Sequence, residues 1–599
     1  MSKYLLTTGA KSYNSKADPT NLPPETLVAG SQNVIINDQE RVETRAGYEI
    51  FGAVAAGSNP VKSEFDWKHS SEGEILLREI NGTLQFYSET SDAFETLLAG
   101  LSATYPVRFT TVWNGTELID ILLFVNHSAV LYEWSGGAGT FASATATTID
   151  INEVIASSRF LTSGTREIRV KDSGGTWRTF AYTGQSGSQF TGVTPDPTAF
   201  TFTAGALVIQ EVRSNSSTPA AGFINDVIEV FQNQIFFGSS TSQRLYVSSN
   251  TSYTSVSFSS PRVAGEGALI TLDATCVGLK APGMKDTDTE SKVIAFCRGN
   301  RAYKITFEIS PGSAADREVP RVKPLAIAEG QGALSQELIA KVKNTIVWLS
   351  TDKELIDLGQ IEGGSFKEAI SDPIKSDFAN AVFTNGDIKF WRSSIFITAP
   401  ADGRVYVYDV SKGFWQPPQI MGMRKLSIYA DLLYGHSNAV DETYRLFSGS
   451  SDNSNPIAFK AHWSYRNSGE RALLKNFDRF FTELYIQSNT TVSCSILFEW
   501  KGAKRILTWE LDGSDASFLF TPNVDASLGV NPLGTNPLGG QLEAGENTPK
   551  YRRFKTIQPT DHFEYQIRLE SDEVDDVWQA LSTGSNALES NNLPTNLTK

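Results

Sequence analysis

The sequence predicts an all-β protein: a β-propeller of about seven blades with an inserted small β-domain and a C-terminal β-sandwich. Three observations predict it. Short runs of alternating or continuous β-branched and aromatic residues, punctuated by Asn-Gly, Asp-Gly and Gly-Gly, fill the chain, and helical periodicity is nearly absent. A degenerate unit of strand, tight polar turn, apolar strand, turn and aromatic-ending strand recurs seven times. The composition, 40% hydrophobic and 11% aromatic over 599 residues, is that of a folded chain longer than one core usually fills.

The units run in order as EILLREINGTLQFYS (74–88), DILLFVNHSAVLYEWS (120–135), VIEVFQNQIFFGSSTSQRLYVSS (227–249) and VIAFCRGNRAYKI (293–305). LIAKVKNTIVWLSTDKELIDLG (338–359), IKFWRSSIFITAPADGRVYVYDV (388–410) and IYADLLYGHSNAVDETYRLFSG (428–449) complete the set. A meander of short antiparallel strands cannot bury both faces alone, so it must stack on copies of itself, and radial stacking gives a propeller. Without a strict repeat period, a parallel solenoid is disfavoured. The propeller is expected in two parts, 1–139 and 226–455.

Between them, residues 140–225 form a Ser/Thr/Gly-rich stretch with its own strands REIRV (166–170), WRTFAYTG (177–184) and FTFTAGALVIQEV (200–212), expected as an inserted small β-domain. Residues 456–599 carry longer alternating strands, FFTELYIQ (480–487), TVSCSILFEW (491–500), RILTWEL (505–511) and HFEYQIRLES (562–571), expected as the sandwich. Within that block 521–550 is a Pro/Gly loop containing NPLGTNPLGG (531–540), and the tail from Ser582 to Lys599 is expected to fray.

Charge and chemistry narrow the function. With 52 Lys and Arg against 67 Asp and Glu, the net charge of −15 argues against a general phosphate-gripping surface. Cys276, Cys297 and Cys494 are widely spaced without a metal-ligand pattern and are expected as buried free thiols rather than a disulfide or metal site. The five histidines, His69, His127, His436, His462 and His562, lie outside ligand spacing of one another, and neither HExxH nor GxSxG occurs. No apolar run reaches a signal peptide or a membrane span, so cytoplasmic assembly without a membrane segment is expected.

Two local patterns need weighing. VKDSGGTWRTF (170–180) matches the Asp-box of sialidase-like propellers at Asp172, Gly174, Thr176 and Trp177, but there the Asp ties a hairpin turn and is no catalytic group. KDTDTES (285–291) sets Asp286, Asp288 and Glu290 along an extended segment without the Gly of a calcium loop, and reads as a solvated acidic loop. No catalytic residue, metal ligand or cofactor is therefore assigned. With 67 acids, a glycosidase pair cannot be picked out by spacing.

The opening LPPETLVAGSQNVIINDQERVETRAGYEIFG (22–52) resembles that of phage tail propeller proteins at Leu27, Asn33, Val34, Arg45, Gly47 and Tyr48. The stretch from Phe160 to Thr194, with its YTG-turn-FTGV hairpin, is similar to small modules of phage tail and fibre proteins, and NPLGTNPLGG resembles loops near their C-termini. The family suspected is the nozzle, tail tubular or hub protein of short-tailed phages (podoviruses). The resemblance implies a non-enzymatic virion tail subunit in a homo-oligomeric ring, commonly a hexamer, around the DNA ejection channel. It implies tail partners such as adaptor and fibres, and viral double-stranded DNA that passes without specific binding. Asp572, Glu573, Asp575 and Asp576 are candidates for lining that channel, because an acidic wall does not hold phosphates, and a solvated outer face that serves solubility is the alternative reading of the cluster. Two rival readings are a receptor-binding or fibre-adaptor module and a propeller hydrolase acting on surface glycans.

Overall fold

The computed structural model describes residues 2–6, 9–52, 57–68, 73–115, 119–155, 158–162, 166–215, 219–220, 222–249, 255–257, 266–282, 292–299, 301–309, 318–325, 331–362, 369–466, 476–485, 490–500, 503–512, 550–556, 564–571 and 579–588. Among the described residues, seven antiparallel sheets follow one another from Ser63 onward. Blade I runs from Ser63–Lys68 to Ala93–Leu98, and blade II contains Arg108–Asn114, Ile119–Val125, Leu131–Trp134 and, after a long excursion, Arg213–Asn215. Blade III spans Val227–Phe231 to Ala268–Thr271, and blade IV spans Cys276–Lys280 to Glu318–Pro324. Among the described residues blade V has three strands, from Ile339–Val342 to Leu355–Asp357, and blade VI begins at Ile388–Trp391. Blade VII contains Met423–Tyr429, Leu432–Ser437 and Thr443–Leu446, and its outer strand is Tyr48–Ile50, from ahead of blade I.

The first strand of each blade lies innermost, and each touches the next around the circle, with Met423–Tyr429 against Ser63–Lys68 closing it. The chain is a seven-bladed β-propeller. Each of the seven sequence units falls on the strands of one blade. The blades stack through apolar side chains. Trp67 and Trp134 meet at 5.9 Å in the core between blades I and II, and Phe296 and Trp348 meet at 5.0 Å between blades IV and V.

The excursion from blade II, strands Ala138–Ala144 to Leu207–Gln210, makes a single seven-stranded sheet. A bridge between Ala181 and Thr194 ties its edge strand Trp177–Ala181 to the residues just past Gln189–Thr191, over a core of Ile149, Ile168, Phe180 and Phe190. The YTG-turn-FTGV segment is a hairpin of this sheet, Gly184–Ser186 against Gln189–Thr191.

Two corrections concern the chain ends. The first 44 residues, expected as the start of the propeller, pair elsewhere: Ser2–Leu6 with Gln579–Leu588, and Val34–Ile36 and Val42–Thr44 in the same C-terminal sheet. Residues 582–588, expected to fray, belong to the strand Gln579–Leu588, which pairs with both Ser2–Leu6 and Asn476–Tyr485. Small polar residues disguised it, because backbone pairing across two neighbours needs no hydrophobic pattern. The second C-terminal sheet contains Phe459–His462, Glu564–Ser571, Thr491–Trp500 and Ala503–Asp512. Its Trp463, Cys494, Ile496 and Tyr565 share one core with Leu27 and Val34 of the N-terminal segment and with Val347, Tyr406 and Trp415 of blades V and VI. The long loop 521–549, including NPLGTNPLGG, lies outside the described residues.

Candidate functional site: the propeller channel and the N-terminal junction

The inner strand SEFDWK (63–68) and the segment DIKFW (387–391), which holds the inner strand of blade VI, carry charges at alternate positions, so the pleat turns those charges to one side. They meet in the channel. Lys389 of blade VI reaches Asp66 at 2.7 Å and Glu64 at 3.0 Å, both in blade I. Arg108 of blade II pairs with Glu337, which sits on the turn Gln336–Leu338 leading into blade V. Lys425 of blade VII donates to the Gly386 carbonyl at 2.9 Å and lies 3.9 Å from Glu337. Gln336 exchanges two hydrogen bonds, 2.6 and 3.0 Å, with the Leu279 backbone of blade IV. Ion pairs therefore brace non-adjacent blades, and the space left at this end is a cavity of about 150 Å³ lined by Glu64, Arg108, Lys280, Glu337, Asp387 and Lys389. The ion pairs that cross it leave room there for water or a small molecule.

Burial and pairing pull these groups apart in acidity. Burial pushes the Glu64 carboxyl well up, against the opposing pull of Lys389, and burial raises Asp387 as well. At Glu337 burial is outweighed by the Arg108 and Lys425 cations, which bring the carboxyl down to about 2. Lys389 shows the mirror case: burial would lower it, yet Asp66, Glu64 and Asp387 hold it well above the usual ammonium range. A carboxylate whose charge is held by two cations at a blade junction is a mechanical part as well as a charge.

The residues of the N-terminal resemblance gather at a second place. Leu27, Val34 and Arg45 are fully buried and Asn33 nearly so. Arg45 grips Asp452 with both guanidinium nitrogens at 2.6 and 2.5 Å, donates from Nε to Asn33 Oδ1 at 3.1 Å, and donates to the Ile420 carbonyl at 2.7 Å. Asn33 in turn donates to the Ala458 carbonyl at 2.6 Å and accepts from the Ile420 amide at 2.6 Å. At Gly47 a Cβ would sit 1.9 Å from the Ser451 carbonyl oxygen, so only glycine lets the chain pass. One residue later Tyr48 begins the strand that closes the propeller. These residues tie the closing strand to blade VI and to the segment leading into the C-terminal sheets.

Among the histidines, His127 pairs with Asp226 and stacks on Tyr105. His436 is buried between Ser427 and Thr443, and burial first, then nearby cations, hold it well below the usual imidazole range. His462 meets Glu570 at 2.5 Å, while His69 and His562 lie outside the described residues. Among the described residues no three His, Cys, Asp or Glu side chains gather as metal ligands. Asp172 anchors the Asp-box turn, accepting from the Gly174 and Thr176 amides at 3.0 and 2.8 Å and from Arg178 Nε at 2.8 Å. The acidic cluster Asp572, Glu573, Asp575 and Asp576 lies outside the described residues, as do Asp286, Asp288 and Glu290. The channel charges were not singled out from sequence, although alternate charges within an apolar strand were the available signal.

No family model and no curated protein matches the sequence. Among solved structures, the chain is similar to BBS1N from its complex with ARL6DN at 8% identity and TM-score 0.24, over 54% of this chain and 75% of that one. It is similar to Kluyveromyces lactis Hsv2 at 11% identity and TM-score 0.22, over 60% and 97%. The extracellular domain of the one-component system BT4673 of B. thetaiotaomicron aligns at 10% identity and TM-score 0.23, over 82% and 77%. Likenesses this low carry no argument, and the blade count rests on the strand pairing described above.

Proposed function

We propose that this chain is a structural, non-enzymatic subunit of a short-tailed phage tail, a nozzle or hub that surrounds the DNA ejection channel as a ring. The observation that carries the reading is the N-terminal junction. Of the six residues of the tail-protein resemblance, Leu27, Asn33, Val34 and Arg45 are buried beside the segment leading into the C-terminal sheets, and Gly47 and Tyr48 carry the chain from there into the propeller's closing strand, so the pattern has a mechanical reason. The propeller's own channel is braced by ion pairs, which suits a rigid block and sends any DNA path between subunits rather than through a blade ring. Electron microscopy of the purified protein tests this. A ring, six-fold in the favoured form, with an axial hole is expected, whereas a single copy per particle or a trimer projecting from the tail side overturns the reading.

A further inference from the structure

Two of the three cysteines, far apart in sequence, face each other in blade IV. Cys276 opens the inner strand Cys276–Lys280, and Cys297 ends its neighbour Lys292–Cys297 as the direct antiparallel partner. The Cys276 amide donates to Ser239 of blade III at 3.1 Å rather than to Cys297, while the flanking Arg298 amide donates to the Thr275 carbonyl at 3.0 Å. A flanking bond of this kind marks the narrow, non-hydrogen-bonded pair, whose Cα atoms stand about 4.5 Å apart in a regular ladder; a bulge follows at Val277 before pairing resumes between Gly278 and Phe296. Disulfides span Cα separations of roughly 4.4–6.8 Å, so the strands need little adjustment to accept one. Directly opposed side chains share a face, and both cysteines belong to the core between blades III and IV. Both are free and buried.

We propose that Cys276 and Cys297 are a modification site: a cross-strand dithiol that closes to a disulfide when the folded protein meets a small-molecule disulfide such as oxidised glutathione. Cys297 is the attacking group, because it borders the exposed turn at Arg298 and Gly299 and opens first when that strand end frays. Its thiolate displaces one glutathione thiol to form a mixed disulfide. The Cys276 thiolate then attacks the Cys297 sulfur and releases the second glutathione. Two S–H bonds are lost, one S–S bond forms, and the oxidant is reduced to two thiols. The Cys276 thiol is pushed well up by its hydrogen bond with Cys297 and by burial, so closure is slow in the undisturbed fold. For a particle assembled in a reducing cytoplasm, the bond would form after release. The chemistry itself does not depend on the tail reading.

The folded full-length chain is incubated with oxidised glutathione at mildly alkaline pH, quenched with acid, and its thiols counted after denaturation. The count is expected to fall from three to one, with a Cys276–Cys297 link in the non-reducing peptide map and recovery on reduction. Cys494, buried in a separate core, is the internal control. Cys276→Ser and Cys297→Ser should each abolish the intramolecular link. Three thiols persisting in the folded chain while the unfolded chain oxidises, or a link that includes Cys494, overturns the proposal.

Discussion

Arg45 is a fully buried cation held by Asp452, Asn33 and the Ile420 carbonyl. Removing one partner of a buried ion pair leaves the other charge unsolvated and is destabilising by about 3–5 kcal/mol. Arg45→Ala should lose stability on that scale by chemical denaturation. Arg45→Lys should not restore it, since one ammonium cannot replace the two-pronged grip. Glu337 makes a pH-dependent contribution whose sign is fixed. Its folded-state acidity is shifted to about 2 from 4.5, so its stabilisation is present above pH 4.5 and disappears as the pH falls towards 2. Glu337→Gln should lower the melting temperature at neutral pH, and calorimetry should show the gap to the parent protein closing on acidification over that window. The raised carboxyls Glu64 and Asp387 act in the opposite sense, weighing against the fold as they ionise with rising pH.

At the scale of elements, the closing strand Tyr48–Ile50 pairs with Thr443–Leu446, with Glu49 opposite Arg445. The Phe51 amide donates to the Thr443 carbonyl, so two residues earlier Glu49 faces Arg445 as a hydrogen-bonded pair. Glu49→Pro deletes that bond, and hydrogen exchange should show faster amides across Thr443–Leu446 with a lower melting temperature. In the inserted module, Asp172→Ala should release the Gly174 and Thr176 amides, read as new protease cleavage between 171 and 177 with blade I intact. Blades were legible because their second and third strands, such as EILLREI and TLQFYS, are apolar runs around a polar turn. The inner strands SEFDWK and RFTTVWN were harder to read, because channel-facing charges and hydroxyls interrupt their apolar pattern. The strand QALSTGSNAL carried no pattern at all. The channel ion pairs join residues hundreds of positions apart, a partnership that spacing in one sequence cannot express, whereas the Asp-box turn is local and its role could be read directly.

For the whole molecule, the N-terminal segment links propeller and C-terminal unit, and burial at their joint makes one core of both. If such blocks form a ring around DNA, the acidic residues Asp572, Glu573, Asp575 and Asp576 would keep phosphates from adhering. Exchanging the four for Asn and Gln should slow genome ejection most at low salt and leave ring assembly unchanged. Normal ejection at every ionic strength would remove them from the channel wall.

Closure of the propeller by residues 48–50 also sets a clock. The strand leaves the ribosome first among the propeller's pieces, but its mate, Thr443–Leu446, follows only after some 400 further residues. At roughly 5–20 residues per second that is a wait of about 20–80 s, during which the growing arc of blades stays open with bare edges. A chain halted anywhere short of blade VII can never shut the circle. Its unpaired edges and uncovered blade faces would mark it for chaperones and proteases, so closure sorts finished chains from fragments before any of them can join a larger assembly.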